Sequence, residues 1–353
     1  MPSSLTVALA ALGGVVLAGV VAHGAWQARK AGPRRPAQEP GGPRETTKRE
    51  PLLEATTTQP SMHPAELPAD SLEPRAPRRA SARLDALIDA IAPVTLDAPI
   101  AGELALMHLP TTRRAGGKPF LIEGLNAETG EWEAPAPGQR YGEFQAGVQL
   151  ANRTGALNEI EYSEFVQKVE AFAEAVGAMA DFPDMLDVVA RARELDAFAG
   201  EHDAQLAVHL QARSAAWSVG YIQQHAGRHG FVAGVVPGRL VLPSIDEGAP
   251  PVLTLTFDSQ AAFADDPSRA AVRDVTLSFD VPQTDPHADP FIAWQASAQA
   301  LALGMDAAIV DDHGRALSQQ GFAAIGAELK QLYEKLEAHD LAAGSPAARR
   351  LFS

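Results

Sequence analysis

The stretch Val275-Thr-Leu-Ser-Phe-Asp-Val281 decides how the C-terminal part of the chain folds. Its apolar and polar side chains alternate, which is typical of a strand with one buried face. The stretch Leu253-Thr-Leu-Thr-Phe257 alternates in the same way. We therefore predict two strands of one sheet whose Leu, Val and Phe side chains pack against helices. The Thr, Ser and Asp side chains are expected on the opposite face, open to solvent and to a partner.

Outward from these strands, the pattern predicts an α+β domain over residues 203–340. The order is β-α-β-β-β-α-β-α, which is typical of a split β-α-β arrangement in a mostly antiparallel sheet. Helices are expected on one face, with the other face open. The predicted elements are strands at 205–210, 231–234, 239–242, 252–257, 275–281 and 307–310, and helices at 215–229, 290–304 and 319–336.

Residues 84–202 predict a second α+β region. Helices are expected from Leu84 to a stop at Pro93, from Asn158 to Gly177, and over 184–199, and strands over 103–109, 119–125 and 143–150. An Ala-rich helix followed by a short strand near 190–206 is similar to one near 296–309. The region is therefore either a partial duplicate of 203–340 or shares only its alanine bias. Residues 341–353 are predicted to form a C-terminal tail.

The N-terminus predicts a single transmembrane helix over residues 1–26. Leu5, Val16 and Val21 belong to an uncharged run of about 20 residues, long enough to span a bilayer core, and Trp26 stands at the interface position. Lys and Arg come after the run but do not precede it, which predicts a periplasmic N-terminus and a cytoplasmic body. A cleaved signal peptide is the alternative, but it needs a basic start and a shorter apolar core.

Two further features concern this anchor and the segment after it. Small residues four apart, at Ala10, Gly14, Ala18 and Ala22, allow a homodimer through the membrane helix, although alanine and glycine are common in this chain. Residues 27–83 hold 11 Lys and Arg against 7 Asp and Glu and are rich in proline, which predicts a disordered linker. Its arginines nearest the run can contact anionic inner-membrane lipid.

Composition excludes several functional classes. The chain has no cysteine, so disulfides, Cys-ligated zinc and thiol catalysis are excluded. A net charge of -15 argues against nonspecific nucleic-acid binding by the whole chain. Asp311, Asp312 and His313 are better explained by a turn than by a metal site, and His225 and His229 by a surface pair. We find no nucleophile–base pattern, and predict no catalytic residue, metal or cofactor.

Short motifs in this layout resemble the ZipA family of bacterial cell division proteins. They are the strand Val275-Thr-Leu-Ser-Phe-Asp-Val-Pro282, the helix, turn and strand over 291–310, the segment Asp311-Asp-His-Gly-Arg-Ala-Leu-Ser-Gln-Gln320, and His229-Gly-Phe-Val-Ala-Gly234. The resemblance covers roughly 203–340, together with the anchor and linker. It implies a protein at the septum that tethers FtsZ filaments of the Z ring to the inner membrane.

The same resemblance implies a binding site for the FtsZ C-terminal peptide on the open sheet face. The residues that correspond are Val236, Arg239, Val241, Thr254, Thr256 and Ser278. This sequence departs from the family at Ser278, where the family has an apolar residue, and its neighbours are polar too. A shallow apolar groove is the expected source of affinity for such a peptide.

Three functions therefore stand side by side. The first is a membrane-anchored division protein that binds FtsZ. The second is a membrane-anchored scaffold of similar fold with a different protein partner, which the polar face and the unmatched region 84–202 favour. The third is a membrane-bound enzyme without a recognisable motif, which would need a deep pocket with converging ionisable groups.

Overall fold

The computed structural model describes residues 83–246, 248–262 and 271–353. They form an α+β structure with two large antiparallel sheets and eight helices. The predicted membrane segment at 1–26 and all of the predicted linker except Arg83 lie outside these ranges. Within them, every helix is either too short or too polar to cross a bilayer.

The first sheet, here called the N-terminal sheet, is built from residues 89–180 and has the strand order β2-β3-β5-β1-β8, with β4 paired to β3. Its strands are β1 Asp89–Ala101, β2 Arg114–Ala115, β3 Lys118–Asn126, β4 Trp132–Glu133, β5 Arg140–Gln149 and β8 Ala178–Ala180. A separate hairpin joins β6 Ala151–Asn152 to β7 Gly155–Ala156. The helices of this half are α1 Gly102–His108, α2 Glu159–Val176 and α3 Met185–His202.

The second sheet, here called the C-terminal sheet, has the order β10-β11-β12-β13-β9-β14. Its strands are β9 Gln205–Ala212, β10 Val232–Ala233, β11 Arg239–Leu242, β12 Leu253–Thr256, β13 Asp274–Asp280 and β14 Ala307–Val310. The helices that come after α3 are α4 Val219–Gly227, α5 Ser259–Ala262, α6 Pro290–Met305, α7 Gln319–Glu337 and α8 Pro346–Leu351.

The two sheets share one topology. In the N-terminal sheet the chain runs β1, α1, β3, β5, α2, β8, α3 and the central strands lie in the order β3-β5-β1-β8. In the C-terminal sheet it runs β9, α4, β12, β13, α6, β14, α7 and the order is β12-β13-β9-β14. All these neighbours are antiparallel. Each half is therefore the same arrangement of seven elements, with extra short strands at one edge.

This topology sets a different alignment from the one suggested by the sequence. The sequence similarity between 190–206 and 296–309 aligns α3 and β9 with α6 and β14. However, α3 is a helix of the N-terminal half, whereas β9 is a strand of the C-terminal sheet. The topological counterpart of α6–β14 is α2–β8. Both junctions place a left-handed residue directly between helix and strand, Gly177 at φ 69° and Asp306 at φ 56°.

The predicted helix over 84–91 is wrong, because strand β1 begins at Asp89 and runs through Pro93. Ala90, Ala92 and Val94 alternate into the core and are at most 1% exposed. Proline is tolerated here because the carbonyl of Pro93 accepts the amide of Asp181, just beyond the end of β8. The nitrogen and the carbonyl of one strand residue point to the same side of the strand. The nitrogen of Pro93, which has no hydrogen to donate, therefore points toward the end of β8, where the strand pairing stops.

The predicted strand over 103–109 is also wrong, since these residues belong to α1. The alternation of leucines there is too short to separate strand from helix, and Glu, Leu, Ala and Met are strong helix formers. Gly102 allows the tight entry into α1. A Cβ atom at Gly102 would lie 2.0 Å from the carbonyl oxygen of Ala136.

Most other predicted elements are confirmed. Asn158 caps α2 in a capping box with Glu161, and Gly177 ends that helix. The inward side chains of β12 and β13 are buried as predicted, and Trp294 of α6 packs on them and donates its indole N–H to the carbonyl of Leu277 at 2.9 Å. Helix α4 begins at Val219, later than the predicted start at 215.

A third apolar cluster joins the two halves, and the predicted tail 341–353 is part of it. Leu341, Leu351 and Phe352 are at most 1% exposed and pack in one cluster with Ile88 and Leu336. Residues 346–351 form α8. The C-terminal segment is thus a structural element that contacts residues of both halves.

Charged groups reinforce this junction. The Arg350 guanidinium donates two hydrogen bonds to the Asp89 carboxylate, at 2.8 and 2.6 Å, and Asp89 is 1% exposed. Arg153 bridges Asp203 and Asp280. Burial and Arg153 act in opposite directions on Asp280, and burial prevails, so the pKa of Asp280 is raised.

Candidate functional site

The candidate site is the outer face of the C-terminal sheet, which points away from α6. Residues opposite each other in an antiparallel pair lie on the same face. Val241 pairs with Thr254, Thr254 with Ser278, and Ser278 with Ala207. The register therefore brings three of the predicted residues, Val241, Thr254 and Ser278, into one row across three strands, and β9 extends that row.

A second row runs beside the first. Arg239 pairs with Thr256, Thr256 with Thr276, and Thr276 with His209. Two more of the predicted residues, Arg239 and Thr256, thus lie together on the same face. Val236 is different, because it lies in the turn before β11 rather than on the strand, and its carbonyl accepts the amide of Arg239. Its side chain is 55% exposed.

The face is less open at its centre than predicted. Thr254 and Ser278 are 8% and 6% exposed, whereas Arg239 is exposed and Val241 and Thr256 are half-buried. Each of the two short side chains is flanked on both sides by residues of neighbouring strands, which limits its contact with solvent. The result is a floor of hydroxyl groups with Val241 on one side and Ala207 on the other.

His209 links three elements on this face. Its Nδ1 lies 3.1 Å from a carboxylate oxygen of Asp274 and 3.2 Å from the hydroxyl of Thr276, and its Nε2 lies 3.1 Å from a carboxylate oxygen of Asp312. Burial by itself lowers the pKa of His209, but the hydrogen bonds to Asp274 and Asp312 outweigh it, so the pKa is raised. The imidazole therefore tends to hold a proton between two carboxylates.

Sequence reasoning did not include Val232, Thr276 and His209 among the site residues. Val232 pairs with Val241 and so extends the first row to the edge strand β10. The signal for His209 was available, because Val208 and Leu210 are inward-facing residues on either side of it. The signal for Val232 was not, since the pairing of a two-residue strand is set by the turn after it.

The turn predicted at Asp311, Asp312 and His313 is confirmed. The Asp311 carboxylate accepts the amides of His313 and Arg315, which makes 311–314 a turn. Those hydrogen bonds lower the pKa of Asp311, the amide of Arg315 having the largest effect. Across residues 83–246, 248–262 and 271–353, no three His, Asp or Glu side chains are grouped as metal ligands.

A shallow depression of about 500 Å³ lies elsewhere, at the start of α2, where Ile160 and Met185 line it. Its two carboxylates already have partners. Glu159 pairs with Arg193 at 3.0 Å, and Glu164 pairs with Lys168 at 2.6 Å. The depression therefore does not offer a free acid–base pair.

Comparisons with known proteins leave the family open. No family model matches the chain, and no curated protein matches it. Among solved structures, one that is similar over part of its length is the berberine bridge enzyme from Eschscholzia californica, with 12% identity and a TM-score of 0.15. The match covers 73% of this chain and about half, 53%, of that one. A likeness of this size carries no argument about fold or function.

Proposed function

We propose that the chain is a membrane-anchored cell division protein that binds the C-terminal peptide of FtsZ on the outer face of the C-terminal sheet. In that role it tethers FtsZ filaments to the inner membrane at the division site. The observation that carries the proposal is the row Val232, Val241, Thr254 and Ser278, which runs across four adjacent strands on the face opposite α6.

The row has the dimensions and the chemistry for an extended peptide. Four strands at about 4.8 Å spacing extend over roughly 14 Å, about the length of four extended residues. Val232 and Val241 provide apolar surface at one end, and the exposed Arg239 provides a cation beside them. The uncharged N-terminal run and the basic linker support the tethering part of the proposal, because together they predict an anchor and a spacer.

Fluorescence anisotropy tests the proposal directly. A labelled FtsZ C-terminal peptide from the same organism is titrated with the full 353-residue chain, in detergent, and with its Val241→Glu variant. We expect saturable micromolar binding that weakens at least tenfold in Val241→Glu, since the carboxylate replaces apolar contact surface at the apolar end of the row.

Leu303→Glu is the matched control. Leu303 is 88% exposed on α6, which packs on the opposite face of the sheet, so the same charge is introduced away from the site. It should bind like the unaltered chain. Binding that is absent, or that both variants retain in full, contradicts the proposal.

A membrane-anchored scaffold for a different protein is the second candidate function. The hydroxyl floor and the His209 cluster favour it, because they offer hydrogen bonds where an apolar peptide needs apolar contact. Cross-linking in cells from a photoreactive residue at Val241 separates the two. FtsZ as the dominant adduct supports the division protein, and another dominant adduct supports the scaffold.

A further inference from the structure

The β10 edge of the C-terminal sheet is open in a way that the opposite edge is not. At the opposite edge, β14 is covered by its own chain, because Leu317 donates its amide to Ile309 and Asp311 donates its amide to Arg315. Strand β10 stands at the end of the strand order and, in the described ranges, pairs only with β11. Its outer side is therefore a row of backbone groups without a strand beside it.

The hydrogen-bond pattern identifies which groups point outward. The amide of Gly234 donates to the carbonyl of Arg239 at 2.9 Å, so this pair is hydrogen-bonded. Hydrogen-bonded and non-hydrogen-bonded pairs alternate in an antiparallel ladder. The pair Ala233–Leu240 is therefore not hydrogen-bonded, and the N–H and C=O of Ala233 point away from β11.

The side chains at this edge are apolar and exposed. Val232 is 51% exposed, Val235 is 102% exposed, and Val236 is 55% exposed. Sheet edges are usually protected by charged residues, by proline within the strand, or by a covering segment. Residues 230–236 contain no charged residue and no proline. An exposed edge of this kind is a template for another strand.

The charges around the edge indicate what kind of strand fits. Arg228 and Arg239 flank the segment, both are exposed, and neither pairs with an acid among the described residues. No Asp or Glu lies between them in sequence, although residues 84–353 hold 37 Asp and Glu against 18 Lys and Arg. The edge is thus a locally basic and apolar strip on an acidic body.

We propose that β10 is a second docking site, at which an extended protein segment that carries apolar and acidic residues on one face adds to the C-terminal sheet as a seventh strand. The main chain of the segment bonds to Ala233. Its apolar side chains lie beside Val232 and its carboxylates face Arg239, because Val232 and Arg239 lie on the same face of the sheet. This inference stands whether or not FtsZ occupies the outer face.

The probe for this site is a fluorescein-labelled nine-residue peptide in which valine and glutamate alternate at the odd positions and threonine fills the even positions, so that valine and glutamate lie on one face. A matched peptide carries lysine in place of glutamate. We expect the full chain to bind the glutamate peptide at least tenfold more tightly than the lysine peptide, with an affinity that falls as salt is added. Equal binding of both peptides, or no binding of either, overturns the proposal.

Two substitutions at one position isolate the backbone contact. Ala233→Pro removes the outward N–H and should weaken binding at least tenfold, whereas Ala233→Ser keeps the N–H and should bind as the unaltered chain does. Full binding by Ala233→Pro overturns strand addition. So does dimerisation of the free chain, measured by sedimentation, that Ala233→Pro abolishes, because a second copy would then be the occupant of the edge.

Hydrogen exchange makes the test independent of whether Ala233→Pro folds. In the unaltered chain the amide of Ala233 should exchange rapidly, because the alternation of the ladder points it away from β11. Saturation with the glutamate peptide should slow it at least tenfold. An amide whose exchange does not change on saturation contradicts the proposal.

Discussion

The N-terminal and C-terminal sheets have the same topology but differ in what lies on their outer faces. On the N-terminal sheet, the chain leading into β1 crosses that face: Leu84 lies over Gly147, and its amide donates to Glu123 at 3.1 Å. On the C-terminal sheet, in the described ranges, Val241, Thr256 and Thr276 remain half-buried, and Arg239 remains exposed. Among the described residues, the chain therefore crosses the outer face of the N-terminal sheet, whereas on the C-terminal sheet the residues around the buried Thr254 and Ser278 keep contact with solvent.

The difference arises from the segment of chain that leads into each sheet, not from the sheets themselves. The N-terminal sheet is entered by residues 83–88, which Arg350 holds through the carbonyl of Arg83 and the carboxylate of Asp89. The C-terminal sheet is entered directly from α3, which ends at His202 only three residues before β9 begins. Among the described residues, the two that separate α3 from β9 are therefore too few to cross the outer face of the C-terminal sheet as residues 83–88 cross that of the N-terminal sheet.

The largest expected effect comes from breaking the contact that holds the covered face. Arg350→Ala leaves the Asp89 carboxylate buried without its counter-ion, since Asp89 is 1% exposed. Removing one partner of a buried ion pair costs about 3–5 kcal/mol, and we expect a loss of that size in the free energy of unfolding, measured with urea.

Arg315→Ala is the control for that measurement. Arg315 pairs with Asp311 at 2.8 Å, but its side chain is 74% exposed. A pair of this kind contributes below about 1 kcal/mol. Equal losses in the two variants would show that Arg350 does not hold the two halves together.

A smaller effect is expected from Gly147→Ala. A Cβ atom at Gly147 would lie 2.4 Å from Cδ2 of Leu84, so the leucine must move away from the sheet. We expect a loss of about 1–3 kcal/mol in the free energy of unfolding and faster proteolysis near residues 83–88. Leu84→Ala in the same chain removes the clash, so the two losses should not add. Strict additivity would contradict the contact.

On the outer face of the C-terminal sheet, an added apolar group is expected to strengthen an interaction rather than to weaken one. Thr254→Val replaces a hydroxyl on the floor by a methyl group at nearly constant volume. If FtsZ binds there, apolar contact increases, and we expect the peptide to bind several-fold more tightly, about 1 kcal/mol. Thr154→Val, on the β6–β7 hairpin, is the control and should leave peptide affinity unchanged. A weaker affinity for Thr254→Val would indicate that the hydroxyl itself contacts the partner.

The smallest expected effect concerns pH. Because the folded pKa of His209 is raised above the ordinary 6.5, its contribution to stability is fully present below about pH 6.5 and is lost as pH rises through the folded pKa. The thermal midpoint should therefore include a small pH-dependent component due to His209, which decreases as the pH rises above about 6.5. His209→Gln should remove that component, and His287→Gln, at an exposed histidine, should not. A component that persists in His209→Gln contradicts this assignment.

Much of the fold could be predicted from local patterns. The alternation in β12 and β13, the capping box at Asn158 and the left-handed Gly177 all act within a few residues, and each is where the sequence predicts it. Short or mixed patterns were misread. A helical period is met at Leu84, Leu87, Ile88 and Ile91. These residues nevertheless lie on a turn and on strand β1, where Ile91 pairs with Gly147 of β5, more than 50 residues away in sequence.

The candidate site, too, could be predicted only in part from the sequence. Alternation was enough to place Thr254, Thr256 and Ser278 on the face opposite the helices. It could not show that Thr254 and Ser278 lie low between their neighbours, or that Val232 continues their row, because both depend on the pairing register. Alternation also places His209 on this face, but its contacts with Asp274 and Asp312, 65 and 103 residues away in sequence, depend on the tertiary structure.

By itself, the sequence determined most of the element types, the buried side of β12 and β13 and the uncharged N-terminal run, since these depend on periodicity and composition. The tertiary structure alone decided that the two halves repeat one topology, that residues 341–353 pack between them, and that Leu84 covers part of the outer face of the N-terminal sheet. The physical reason is separation along the chain. Strand order and the burial of Asp89 by Arg350 depend on contacts between distant residues, and no local pattern encodes which distant residues meet.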